Sequence, residues 1–209
     1  MNIIRRPFRY AYGNAVLVLI ALNLLAFLGQ SAFPRLTAYM ALNPVNVLRA
    51  GAFWQFVSYM FAHGSVSHLL VNMLGLFFFG MQVERHLGTK EFILYYLVTG
   101  TLAGVFSFLV YVVTGADHVY LLGASGALFA VQLAYATFFP NSVVYVWGIL
   151  PVRAPVLVLG FTGVELFSSV FGISSGVAHL THLAGFGFAW LYFMVRLGAN
   201  PWYSLVGRR

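Results

Sequence analysis

Residues 123–140 read Gly123-Ala124-Ser125-Gly126-Ala127-Leu128-Phe129-Ala130-Val131-Gln132-Leu133-Ala134-Tyr135-Ala136-Thr137-Phe138-Phe139-Pro140. The stretch from Ala124 to Phe139 is mostly apolar, carries no charge and stops at a proline. A helix over these roughly 16 residues is about 24 Å long at 1.5 Å per residue. The hydrocarbon core of a bilayer is ~30 Å thick, so such a helix must begin below the outer surface. Its first turn is Gly-Ala-Ser-Gly, and a helix N-terminus with free N–H groups facing lipid costs several kcal/mol. The start of this helix must therefore open into a depression that water reaches.

The rest of the chain fits a membrane setting. Of 209 residues 61% are hydrophobic and 7% charged, whereas a soluble domain carries roughly 25% charged residues. The charge-free gaps Tyr10 to Pro34, Phe92 to Ala116 and Leu166 to Val195 each exceed the ~20 residues that cross the core. Six spans are expected, near Asn14 to Gln30, Val66 to Val83, Phe92 to Val113, Ala124 to Phe139, Ala154 to Phe171 and Val177 to Val195. A barrel would need alternating polar and apolar residues, which are not visible. The expected fold class is all-α: a polytopic membrane protein of six transmembrane helices, one membrane domain over 1–209 with its core at 14–195.

Basic residues set the topology. With the N-terminus cytoplasmic, Arg5, Arg6, Arg9, Arg85, Lys90, Arg153, Arg196, Arg208 and Arg209 lie inside and only Arg35 and Arg49 outside, as the positive-inside rule requires. Both termini are then cytoplasmic. The net charge of +7 sits at span ends, which speaks for lipid headgroups and against nucleic acid. Arg5, Arg6 and Arg9 precede a run long enough to span and lacking a small-residue cleavage site, so no cleaved leader is expected. There is no cysteine, which excludes thiol nucleophiles, disulfides and cysteine-held metals.

The outer connection from Ser31 to Ser65 is long and aromatic, with Phe33, Tyr39, Phe53, Trp54, Tyr59 and Phe61. It is expected to form short interfacial helices against the bundle. Trp147, Pro151 and Arg153 mark the cytoplasmic link between spans four and five. Gly100 with Gly104, Gly126 with Ala130 and Gly185 with Ala189 have the spacing that lets helices approach closely in lipid.

Polar side chains inside a bilayer are expensive and mark sites. Counted from the cytoplasmic ends of their spans, Ser125, His182, His68 and Asn72 stand at heights of about 22, 21, 24 and 18 Å. Three helices thus bring polar groups to one layer in the outer half of the membrane. A serine at a helix start with a histidine at its depth suits nucleophilic attack on a carbonyl, the imidazole taking and returning the proton. His179 and His182 both qualify as that imidazole. His68 and Asn72, one turn apart, can supply N–H donors to an oxyanion beside the Ser125 backbone N–H, or can pair helices. Gly123 and Gly126 leave room for a substrate backbone. Glu165 sits mid-span and is expected to hydrogen-bond within the bundle as a neutral acid, outside the chemistry. His63 and His118 read as loop histidines.

Gly123-Ala124-Ser125-Gly126, His68-Leu69-Leu70-Val71-Asn72, Gly80 through Glu84 to Gly88, and His182 through Gly185 to Ala189, preceded by Phe53-Trp54-Gln55 and Phe61-Ala62-His63, together resemble the rhomboid family of intramembrane proteases over about Ala41 to Ala189. The resemblance implies a Ser125–His182 pair without an acidic third member, with His182 chosen over His179 by the glycine at Gly185. It implies an aromatic ring, Phe129, stacked on the catalytic imidazole. It also implies substrates that are single-pass transmembrane proteins, cut near the outer boundary, in a prokaryotic plasma membrane. No cofactor and no metal are implied. Gln55 stands where the family commonly has Arg, which puts a loop anchor in question. Inactive rhomboid-like proteins that bind membrane clients usually lack the serine or the histidine, and this chain has both.

Other protease chemistries are excluded by residue type. Asp117 is the only aspartate, so a paired-aspartate mechanism has no second member, and no HExxH is present for zinc. Position 127 is alanine where a soluble hydrolase elbow needs glycine.

Overall fold

The computed structural model of the chain describes residues 5–6, 8–146, 148–171 and 176–207, the side chains of 176–178 excepted. Trp147, Arg208 and Arg209 lie outside the described residues. Five helices are long and apolar enough to cross a membrane: Ala15–Ala32, Val66–Leu87, Thr89–Thr114, Ala154–Phe171 and His179–Leu197. The sixth apolar helix is the short one, Ser125–Phe138. The expected all-α polytopic architecture is what the chain adopts.

In chain order, α1 (Ala15–Ala32) is followed by three short helices, α2 (Arg35–Met40), α3 (Pro44–Ala50) and α4 (Gln55–Ser58), and a 3-10 turn, Tyr59–Phe61. The second span is α5 (Val66–Gly75), a π turn at Leu76–Gly80, and α6 (Met81–Leu87). Then come α7 (Thr89–Thr114), α8 (Ser125–Phe138), α9 (Ala154–Phe171), and α10 (Gly176–Tyr192) with a π turn at Phe193–Leu197 and a final α11 (Pro201–Leu205). The second span runs a turn past the expected Val83 because Glu84 is buried instead of facing headgroups. Its carboxylate is fully buried and accepts the N–H groups of Ala15 and Val16 at 2.7 and 2.9 Å and the Thr89 hydroxyl at 2.6 Å. Asn14 offers α1 no side-chain cap, so an acid from another helix satisfies its orphan donors and meets its positive dipole end.

The link between spans four and five holds the two-stranded sheet found among the described residues. Val143–Val146 (β1) pairs antiparallel with Leu150–Arg153 (β2), Val143 opposite Arg153. This hairpin was not expected from the sequence.

The core sits around α8, which packs against α7, α9 and α10. Ala127, Ala130, Ala134 and Ala136 are fully buried along it. Small residues set the helix spacing at the site level: a side chain on Gly185 would overlap the Gly126 carbonyl oxygen, so α8 and α10 touch backbone to backbone there. Gly100, expected to pair helices, meets Ala127 of α8 and also receives Met60, while Gly104 receives Tyr59, both from the Ser31–Ser65 connection. At the opposite end, Arg196 grips Glu91 with two hydrogen bonds of 2.9 and 2.8 Å and Tyr192 donates to the same carboxylate, a bidentate tie between α7 and the end of the last span.

Candidate active site

Ser125 is the first residue of α8, and the outer segment determines how the chain arrives there. Leu42 and Leu121 exchange backbone hydrogen bonds of 2.9 Å, and Gly123 N–H donates to Tyr59 at 2.9 Å. Asn43 holds the same connector by donating to the carbonyls of Asp117 and Val119 at 2.9 and 3.0 Å. Gln55, the departure that put an anchor in question, supplies one of its own. It is 1% exposed, accepts from Asn43 N–H at 3.1 Å and donates to the Ala38 and Tyr39 carbonyls at 3.1 Å each. Trp54 donates to Tyr39 at 3.0 Å and stacks on its ring at 4.9 Å. The expected short helices are therefore fastened to one another and to the segment that delivers the serine.

His182 comes from α10, whose position one residue earlier is locked by a 2.7 Å hydrogen bond between Thr181 and Ser107 of α7. Ser125 Oγ lies 2.7 Å from His182 Nε2. The Phe129 ring stacks on the imidazole at 4.6 Å with 6° between planes, fixing its tilt from one turn below the serine.

His68 and Asn72 stand on α5 facing this pair. Gly123 has φ +118°, and a Cβ there would lie 2.7 Å from His68 Nε2; both the backbone angle and the imidazole exclude a side chain. Asn72 donates one amide N–H to the His68 carbonyl at 2.8 Å, leaving its second N–H for another acceptor. His68, Val71, Asn72, Ser125, Leu128, Phe129, Gln132, Phe161, Glu165 and His182 line a single hollow of about 310 Å³. Its walls come from α5, α8, α9 and α10. Its lining is mostly apolar, the polar groups being those of His68, Asn72, Ser125, Gln132, Glu165 and His182; Asn72 Oδ1 and Gln132 Oε1 are buried with no protein hydrogen-bond partner.

One residue differs from expectation, and one adds to it. Glu165 is part of this constellation: its Oε2 lies 2.5 Å from His179 Nδ1 and 3.1 Å from His182 Nδ1. The contact with His182 is off the ring N–H axis, since Nδ1 has no aligned acceptor, and so acts through charge more than through a hydrogen bond. His179 does not compete for the serine; its Nδ1 is taken up with Glu165. His63 lies in the connection between the Tyr59–Phe61 turn and α5, as a loop histidine, but it is buried. It is 2% exposed, its ring 5.1 Å from that of His68, and burial with the neighbouring His68 pushes its pKa down to about 4.

The sequence matches the family described as Rhomboid domain over residues 50–199. The chain belongs to the rhomboid family. Among relatives, RHOMBOID-like protein 12, mitochondrial, of Arabidopsis thaliana is 28% identical over 68% of this chain and 47% of its own length. Rhomboid protease GluP of Bacillus subtilis (strain 168) is 30% identical over 59% of this chain and 26% of its own. Rhomboid protease AarA of Providencia stuartii is 26% identical over 68% of this chain and 56% of its own. The chain spans about half the length of the curated relatives it matches, or less. Rhomboid membership places this multi-pass protein in a family that includes intramembrane proteases.

Proposed function

We propose that this chain is an intramembrane serine endopeptidase that hydrolyses peptide bonds of single-pass transmembrane proteins near the outer membrane boundary. The observation that carries this reading is the 2.7 Å approach of Ser125 Oγ to His182 Nε2 at a mostly apolar hollow that also gathers His68, Asn72 and Glu165. His182 takes the Ser125 proton as Oγ attacks the scissile carbonyl, then gives it to the leaving amine. The oxyanion is held by the Ser125 backbone N–H with His68 and the free Asn72 N–H. Gly123 and Gly126 admit the substrate backbone, and Gly185 lets α10 carry His182 close enough to reach. Glu165 is a positioning residue whose charge stabilises the imidazolium of His182. A substrate helix reaches the hollow between α5 and α9, past Val71 and Phe161. The setting is a prokaryotic plasma membrane with both termini cytoplasmic.

Purified protein in detergent should take up a fluorophosphonate probe at Ser125 and cleave a single-span reporter. Ser125→Ala and His182→Ala should each abolish cleavage while the protein stays folded. Equal turnover by wild type and Ser125→Ala would remove the assignment and leave the reading of an inactive client-binding protein.

A further inference from the structure

We infer that His179, His182 and Glu165 form a binding site for a zinc-type divalent cation, and that its occupancy switches the enzyme off. The switch rests on His182 being the base; the binding site does not. A ring nitrogen of each histidine and a Glu165 oxygen lie within 4.8 Å of one another, the one such group of His, Asp and Glu among the described residues. Two of the three separations are 2.5 and 3.1 Å. A tetrahedral zinc with bonds of about 2.0–2.2 Å holds its ligand atoms roughly 3.4 Å apart, so side-chain rotations on the order of 1 Å complete the site.

The setting favours a ligand. The histidines are three apart and so share a face of α10, while Glu165 approaches from α9. Each side chain is 16–18% exposed, enclosed enough to hold an ion and open enough to exchange it. Two imidazoles and a carboxylate suit zinc and its late first-row neighbours; magnesium and calcium prefer oxygen throughout. Solvent supplies the fourth ligand.

Inhibition follows from the tautomer. A cation on His182 Nδ1 takes that lone pair, and the neutral ring then carries its proton on Nε2. Ser125 Oγ faces an N–H, and its own proton has no acceptor. A ring that starts with its proton on Nδ1 passes it to Nε2 through solvent, so the exchange balances without a co-reactant. The cation is an inhibitor of the reaction, with no part in its chemistry.

The test separates binding from proteolysis. Full-length Ser125→Ala protein, free of any histidine tag, is titrated with Co²⁺ in detergent. Visible absorption bands of a four-coordinate site should saturate at one equivalent, be displaced by Zn²⁺, and be lost when His179→Ala or His179→Gln is added. Wild-type turnover should fall on adding Zn²⁺ and return with EDTA. For His179→Gln, measured against its own metal-free rate, the half-inhibitory zinc concentration should rise at least ~100-fold, as expected for losing a ligand outright. Absent bands, or bands that survive both His179 changes, overturn the site even if the protein cleaves normally. Bands accompanied by undiminished wild-type turnover in saturating zinc overturn the switch. Bands in the Ser125→Ala protein, with no fluorophosphonate uptake and no cleavage by the wild type, leave the site and remove the enzyme reading instead.

Discussion

Replacing Glu165 by glutamine removes one charge and keeps the size and the hydrogen-bonding capacity. The carboxylate oxygen is 3.1 Å from His182 Nδ1, which puts the centres of charge about 4 Å apart once the imidazolium forms. At that separation the attraction is about 1 kcal/mol in water and about 4 kcal/mol at the effective dielectric of a partly shielded site. With each 1.36 kcal/mol worth roughly a factor of ten, the limits are about 6-fold and 10³-fold. The hollow is open to solvent and the contact is off-axis, so a 10- to 100-fold fall is expected. Because the charge acts only after the proton has moved, the loss should appear in kcat with KM unchanged. The assay is steady-state cleavage of a single-span reporter, with the thermal midpoint measured in parallel. Glu165→Asp should recover part of the rate, which a packing role for the side chain would not produce. A Glu165→Gln enzyme within twofold of wild type, at an unchanged midpoint, would refute the electrostatic argument.

Three further outcomes are expected. Asn72→Ala should lower kcat by roughly 10²-fold if its free N–H meets the oxyanion, and single-turnover rates check this; an unchanged rate would demote it to holding α5. Gln55→Ala strips three hydrogen bonds, one of them buried and two partly so, from the Ser31–Ser65 connection and should cost about 2–4 kcal/mol, read as a lower thermal midpoint. His63 is held neutral by burial with its pKa down at about 4, below its unfolded value of ~6.5. The unfolded chain therefore takes up the proton first, and stability is full above pH ~6.5 and falls by up to about 3 kcal/mol as pH drops towards 4. A pH series of thermal midpoints should show this slope in wild type and a shallower one in His63→Asn.

The parts of this site that were legible in the sequence are those that depend on height along a helix. Length and charge placement set the spans, and the spans set the depths of His68, Asn72, Ser125 and His182. Glu165 was not legible because depth does not report rotation. Whether a mid-span acid faces lipid, a neighbouring helix or the active hollow depends on the angular phase between α9 and α10. The Phe129 ring was anticipated from the family resemblance, since nothing in its spacing alone selects that partner. The burial of His63 and the hydrogen bonds of Gln55 are not legible for a related reason: a long irregular segment has no periodicity from which to infer an inward face. The β1–β2 hairpin escaped because Val143-Val144-Tyr145-Val146 and Leu150-Pro151-Val152-Arg153 are too short and too uniform to separate a strand from a helix end.

The brevity of α8 has one more consequence. A rim helix shorter than the hydrocarbon layer makes the surrounding lipids thin or tilt, at a fraction of a kcal/mol per ångström. Because α8 is shielded by its neighbours, hydrophobic mismatch falls on longer helices such as α1 and α7, which carry exposed apolar side chains. Membrane thickness should then affect how tightly the outer helices clasp the centre, while the depth of the serine beneath the surface stays fixed by protein contacts alone.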